Sequence, residues 1–273
     1  MRIAIIGCGA IGSVIVEAIA TRQIENAELV GLMDIYPEKC VELLKRYGAT
    51  SSGRVAACRD IECLLEAKPE LVVEEASQQA VKEIVPKLLR RRVDVVVLSV
   101  GALLDRDTYR ELLEESRRSR ASVYVPSGAI VGIDAVKALA NVGIKRVVVR
   151  TYKNAQAFDR STLEKLGIRE VRGRAMIYQG SGEEAVKLFS ANVNIAATLA
   201  LASGVIPWVE IYADPDLERN IHEIEIESNA SRIHIRVESV PHPQNPRTSY
   251  LAALSAIQLL KQLTTKTKIN IGS

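Results

Sequence analysis

The feature that most constrains this chain lies in its first dozen residues, MRIAIIGCGAIG. Arg2 to Ile6 is a short apolar run, as expected of a strand buried on both faces of a parallel sheet. It leads straight into Gly7-Cys8-Gly9-Ala10-Ile11-Gly12, with the spacing G-x-G-x-x-G. In such a turn Gly7 permits the sharp passage from strand to helix. Gly9 lets the backbone approach a pyrophosphate, and Gly12 lets the helix lie close to the sheet. The N–H groups around Ala10 and Ile11, with the positive end of the helix dipole, would hold the phosphate charge.

Glycine-rich turns also arise for structural reasons alone, so the surroundings decide. Val14, Ile15, Ala18 and Ile19 follow at helical spacing, and a second buried strand, Leu29 to Met33, ends at Asp34. A carboxylate about 20 residues beyond the glycines is where a ribose diol is held. The pattern therefore predicts a dinucleotide site made by Gly7, Gly9, Ala10, Ile11, Gly12 and Asp34. The first basic residue after Asp34 is Lys39, which favours NAD and leaves NADP possible.

Strands and helices alternate through residues 1–126. Helical patterns cover Glu38 to Tyr47 (stopped by Gly48), Asp60 to Ala67, Gln78 to Arg92 with Ser77 as N-cap, and a stretch from Asp105 or Asp107 to Ser119. Further strands are predicted over Leu71 to Glu75, Val93 to Val100 and Ser122 to Val125. This alternation predicts a Rossmann-type α/β domain, a doubly wound parallel sheet. At Pro126 the pattern changes. A small-residue loop, Ser127 to Gly132, and a helix from Ile133 to Asn141 precede strand-like runs at Lys145 to Tyr152, Val171 to Tyr178, Trp208 to Ala213, Ile221 to Glu227 and Arg232 to Val240. One clear helix, Val193 to Ala202, interrupts them. Residues 127–245 are thus expected to form an α+β domain on an open, mostly antiparallel sheet. Pro241, Pro243 and Pro246 mark a loop, and a last helix from Thr248 or Ser249, within 246–273, is expected to pack back on the first domain.

Composition narrows the partners. A formal charge of +3 with 4% aromatics lacks the basic, aromatic-interleaved face that nucleic acid needs. No signal peptide or membrane-spanning apolar run is visible, so a cytoplasmic protein with no membrane partner is expected. Cys8, Cys40, Cys58 and Cys63 show no CxxC pairing and no histidine nearby, which predicts reduced thiols and no metal site. Cys8 reads as a packing choice within the turn. Of the three histidines, His234 alternates with isoleucines on a solvated sheet face, and His242 sits in the proline loop. His222, where a polar loop enters a strand, is either a proton-transfer group or an ordinary strand-edge histidine.

Several segments resemble the L-aspartate dehydrogenases over nearly the whole chain: EEASQQAV (Glu74–Val81), LSVGAL (Leu98–Leu103), PSGAIVGIDAV (Pro126–Val136), FSANVNIAATLALA (Phe189–Ala202), ADPDLERNIHEI (Ala213–Ile224) and NPRTSYLAALSAI (Asn245–Ile257). The resemblance implies that His222 is the active-site histidine and that Ala129 and Asn192 contact NAD. It implies oxidation of L-aspartate to iminoaspartate, which hydrolyses to oxaloacetate and ammonia, a place in NAD biosynthesis, and a homodimer. Asn192 can serve the nicotinamide carboxamide and also cap a helix. The substrate's two carboxylates need cations or N–H groups, for which Arg247, Lys153 and Arg160 are candidates. Glu75 and Ser190 depart from the family's usual alanine and proline, and neither is expected to touch the chemistry. The competing readings are a homoserine dehydrogenase or dihydrodipicolinate reductase relative, or an NAD-binding sensor without catalysis.

Overall fold

The computed structural model describes residues 1–47, 55–189, 194–242 and 245–265. Gly48, Ser190, Asn192 and Val193 lie outside the described residues. The chain divides into two units, one of Met1–Pro126 with the C-terminal segment from Ala252, the other from Ser127 to Leu251.

In the first unit the order is β1 (Arg2–Ile6), α1 (Ala10–Ala20), β2 (Glu28–Met33), α2 (Pro37–Tyr47), β3 (Ala56–Cys58), α3 (Ile61–Glu66), β4 (Leu71–Glu74), α4 (Gln78–Arg90), β5 (Asp94–Val97), α5 (Arg106–Ser119) and β6 (Val123–Tyr124). The strands form one parallel sheet ordered β3-β2-β1-β4-β5-β6, the doubly wound topology. Its apolar strands explain it, because Ile3, Ile5, Leu71, Val73 and Val96 are wholly buried and need helices on both faces. Ser77 caps α4 by accepting from Ala80 N, and Asp105 rather than Asp107 caps α5 through Thr108 N.

Two expectations for this unit are corrected. The strand expected to run to Val100 stops at Val97, and a 3-10 turn occupies Val100–Leu104. Its start is drawn aside because Ser99 N and Oγ both donate to Glu74. The cysteines are also not all reduced. Cys58 and Cys63 form a disulfide with Cα atoms 5.5 Å apart. The Asp60 cap, which accepts from Cys63 N, folds the end of β3 back onto the first turn of α3 and brings the two sulfurs together.

The second unit runs α6 (Ile133–Ala140), β7 (Ile144–Lys153), α7 (Arg160–Lys165), β8 (Ala175–Ser181), α8 (Gly182–Leu188), α9 (Asn194–Ser203), β9 (Trp208–Ala213), β10 (Asn220–Ser228), β11 (Arg232–Ser239), β12 (Pro241–His242) and β13 (Asn245–Ser249). The chain then enters α10 (Tyr250–Thr264), most of which belongs to the first unit. Five strands form a sheet ordered β11-β10-β7-β9-β8, antiparallel except for β7 with β9. Alternation decides its faces. Val147, Val149, Ile211, Ile224 and Ile226 are buried on one side, where α9 packs against β7. The other side carries Arg150, Glu210, Glu223, Glu225 and Arg236 in cross-strand ion pairs, with Tyr152 stacked on Tyr212.

Strand β8 lies later than the expected Val171 to Tyr178, because its register with β9 begins at Ala175. The proline stretch is not simply a loop. Pro241–His242 and Asn245–Ser249 pair as a short antiparallel ribbon, so the last helix starts at Tyr250. His242 is consequently buried, with its ring edge-on to Tyr250.

Candidate active site

The glycine turn sits where the order of the first sheet reverses, between β1 and β4. This is the switch point at which open α/β sheets bind ligands. Gly7 has φ +101°, and a Cβ there would lie 2.9 Å from the Glu75 carbonyl carbon. A Cβ on Gly12 would run into the Gly7 carbonyl oxygen. These two glycines are therefore demanded by the backbone itself. Gly9 is different. The nearest atom to a Cβ there is Glu75 Oε1, at 3.4 Å, so its openness serves whatever lies beside the turn.

Asp34 closes the edge of this turn. One of its oxygens accepts from Cys8 N at 2.7 Å and the other from Tyr36 N at 2.8 Å. Held in this way, the carboxylate still has lone pairs for a ribose diol. Ile35 is 86% exposed beside it, an apolar shelf suited to one face of a purine. Lys39 lies over the Tyr36 ring, with Nζ 4.7 Å from the centroid. Cys8 is buried with its Sγ 3.1 Å from that of Cys40. That contact, burial and the nearby Asp34 and Glu75 carboxylates raise its pKa, so it is an unreactive thiol and a packing residue.

Glu75 overturns its expected indifference. Its Oε1 accepts from Gly9 N at 3.1 Å and Gly12 N at 2.9 Å, within the glycine turn. Burial first, then the neighbouring Glu74 and Asp34 charges, push its carboxyl up to about 8 against the lowering effect of the two amides.

In the second unit His222 is buried in β10, directly opposite Thr151 of β7, and its Nδ1 is 3.1 Å from Thr151 Oγ1. That contact orients the ring and leaves Nε2 for a substrate. Burial, reinforced by the Lys153 charge, drops its pKa to about 3, so the imidazole is neutral near pH 7. Lys153 is itself buried at the end of β7, and burial lowers its pKa to about 8. Asn220, two residues before His222, is 2% exposed, and among the described residues its Nδ2 meets no acceptor. A neutral imidazole, a buried ammonium and an unmet amide donor lie toward one end of the sheet, groups suited to a carboxylate ligand.

The remaining predicted residues scatter. Ala129 is buried in the turn before α6. Arg160 is exposed and paired with Glu164, and His234 is exposed on β11. Arg247 lies in β13, and its side chain is outside the description. Sequence reasoning missed Asn220 and Glu75, and Lys153 was only one of three cations considered. The i, i+2 spacing of Asn220 and His222 was the available signal.

A sheet of this order with such a turn is the nucleotide fold of the nicotinamide-dependent oxidoreductases, and the chain is one of that class. Residues 7–126 match the family described as homoserine dehydrogenase, NAD binding domain. Residues 134–263 match that described as aspartate dehydrogenase, C-terminal. The chain is 40% identical to the L-aspartate dehydrogenase of Methanosarcina barkeri over 98% of this chain and 99% of that one. It is 36% identical to that of Methanocaldococcus jannaschii, with the same shares covered. The crystal structure of aspartate dehydrogenase from Thermotoga maritima superposes with a TM-score of 0.73 at 28% identity, covering 100% of this chain and 99% of that one. The chain belongs to the L-aspartate dehydrogenase family.

Proposed function

We propose that this protein oxidises L-aspartate to iminoaspartate, which hydrolyses to oxaloacetate and ammonia, with NAD as the preferred cofactor. The observation that carries the reading is the buried His222 beside Lys153 and Asn220, in a chain of this family. Gly7, Gly9, Ala10, Ile11, Gly12 and Asp34, with Ala129 and Asn192 as the family resemblance implies, would hold the cofactor, which would supply the acceptor for the hydride leaving Cα. The fit rests on Gly9, where a Cβ would have only the movable Glu75 side chain within 4 Å, and on the Asp34 carboxylate at the end of β2.

Every proton movement falls to the chain. Aspartate brings an α-ammonium that must lose a proton before its nitrogen can share electrons with Cα. A neutral imidazole is in the right state to take it, and the same group can position the water that later adds to the imine. Lys153 and the Asn220 amide hold a substrate carboxylate. The bound carboxylates in turn raise the proton affinity of His222 from its low resting value.

The preference for NAD is supported by Asp34, which would face a 2′-phosphate, while Lys39 over Tyr36 leaves some tolerance of NADP. The homodimer is what the family resemblance implies. A cytoplasmic location and a role in supplying NAD biosynthesis rest on the family alone. The test is NADH absorbance on mixing protein, NAD and L-aspartate, repeated with a panel of amino acids and with NADP. No NADH from L-aspartate, with turnover of homoserine or another substrate, would overturn the reading.

A further inference from the structure

The end of β4 carries two adjacent glutamates in opposite situations. Glu74 is wholly buried and fully engaged. Its Oε1 accepts from Ala76 N, Ser77 N and Ser99 Oγ, and its Oε2 from Ser99 N. It ties β4 to the start of α4 and to the turn after β5. Glu75 points to the other side, into the glycine turn, where Oε1 takes the N–H groups of Gly9 and Gly12.

Those donors belong to the turn and helix start that would face a pyrophosphate. An anion at a helix N-terminus is stabilised by the unpaired N–H groups and the dipole, whatever molecule it comes from. Here the chain supplies the anion itself. The Glu75 side chain also fills the space that Gly9 leaves open, since Oε1 and Oε2 are the two atoms nearest to a Cβ there, at 3.4 and 3.8 Å. A pyrophosphate and this carboxylate cannot both occupy it. Close approach of like charges in a partly desolvated turn is strongly unfavourable.

We propose that Glu75 is a resident occupant of the phosphate cradle, which a nicotinamide dinucleotide displaces, so that Glu75 lowers cofactor affinity. The inference rests on the reading of the turn as the dinucleotide site. The charged and titratable groups around Glu75 all act in one direction. Glu74 on β4 and Asp34 after β2 are carboxylates, the Cys8 thiol lies within the turn, and the first turn of α1 carries no acidic residue. Only the glycine amides favour the charged carboxylate. Its proton is therefore held into the neutral range while it occupies the cradle.

The test is the Kd for NADH and for ADP-ribose, by fluorescence and calorimetry, at one fixed pH. Wild type is compared with Glu75→Gln and Glu75→Ala, with melting curves to show that each variant is folded. Both variants should bind at least about tenfold tighter than wild type, the scale of one charged contact. ADP-ribose should behave as NADH does, since the effect lies at the phosphates. Variants that bind no tighter would overturn the proposal while leaving the dinucleotide site intact. Wild type that binds neither ligand would overturn the site and the proposal together.

Discussion

In the first unit the polar groups of the site are held by backbone amides within one turn, whereas in the second they are side chains that meet across paired strands. Cys8 N, Gly9 N and Gly12 N organise Asp34 and Glu75 over a few residues of chain. His222 and Thr151 meet although 71 residues apart, because β10 and β7 are in one particular register. A backbone-built site tolerates most side-chain changes and fails when a Cβ blocks the main chain. A register-built site fails one side chain at a time, each with its own kinetic signature.

The sharpest way to break the first kind is Gly12→Ala. The new methyl group meets the Gly7 carbonyl, which belongs to backbone and cannot swing away. NADH binding should fall below detection, with a loss of stability of about 1–3 kcal/mol from the overpacked turn. Retained NADH affinity would show that the turn is not the cradle.

For the second kind, His222→Ala should lower kcat with L-aspartate by about 10²–10⁴-fold. NADH affinity should stay at the wild-type value, and His222→Asn, which keeps polarity without proton exchange, should be nearly as slow. If NADH binding falls in step with turnover, the histidine organises the fold and not the chemistry.

Lys153→Met is a milder change in the same unit. Removing a charged hydrogen-bond donor should raise KM for L-aspartate by roughly 10–100-fold, with kcat less affected. The pH profile sharpens the assignment. Lys153 loses its proton above about 8, so wild-type kcat/KM at saturating NAD should decline there, and the variant should lack that decline. A variant with the wild-type alkaline limb would assign it to another group.

The smallest effect is expected at Asp34→Ser, which should narrow the NAD over NADP preference by roughly tenfold, the scale of one charged contact. Unchanged affinities for both cofactors would place the ribose elsewhere.

This division also explains what could be read from the residues alone. The glycine turn, the buried strands around it and Asp34 are local patterns, and sequence spacing displays them. His222 could be picked out as a residue, but its setting could not, because Thr151 and Lys153 become its neighbours only through the pairing of β7 with β10. Glu75 was missed for a related reason. It lies 63 residues from Gly12, and only the parallel pairing of β1 with β4 brings its side chain to the turn. The Cys58–Cys63 disulfide escaped because the spacing is not of CxxC type and the bond depends on how the Asp60 cap folds the chain. The ribbon of β12 and β13 was hidden by the prolines, which lack a backbone donor and so read as loop residues.

The return of α10 to the first unit has a consequence for the birth of the molecule. Ala256, Ile257 and Leu260 share one apolar cluster with Ile3, Ile5 and Val16, so a helix made only after the second unit completes a core that β1 begins. An emerging chain must carry that unfilled apolar cluster while the whole intervening unit is made, a delay on the order of ten seconds at ordinary rates of translation. Final closure of the nucleotide fold is therefore a late, long-range event in sequence, and a message cut short before α10 yields a sheet with its core left open to water.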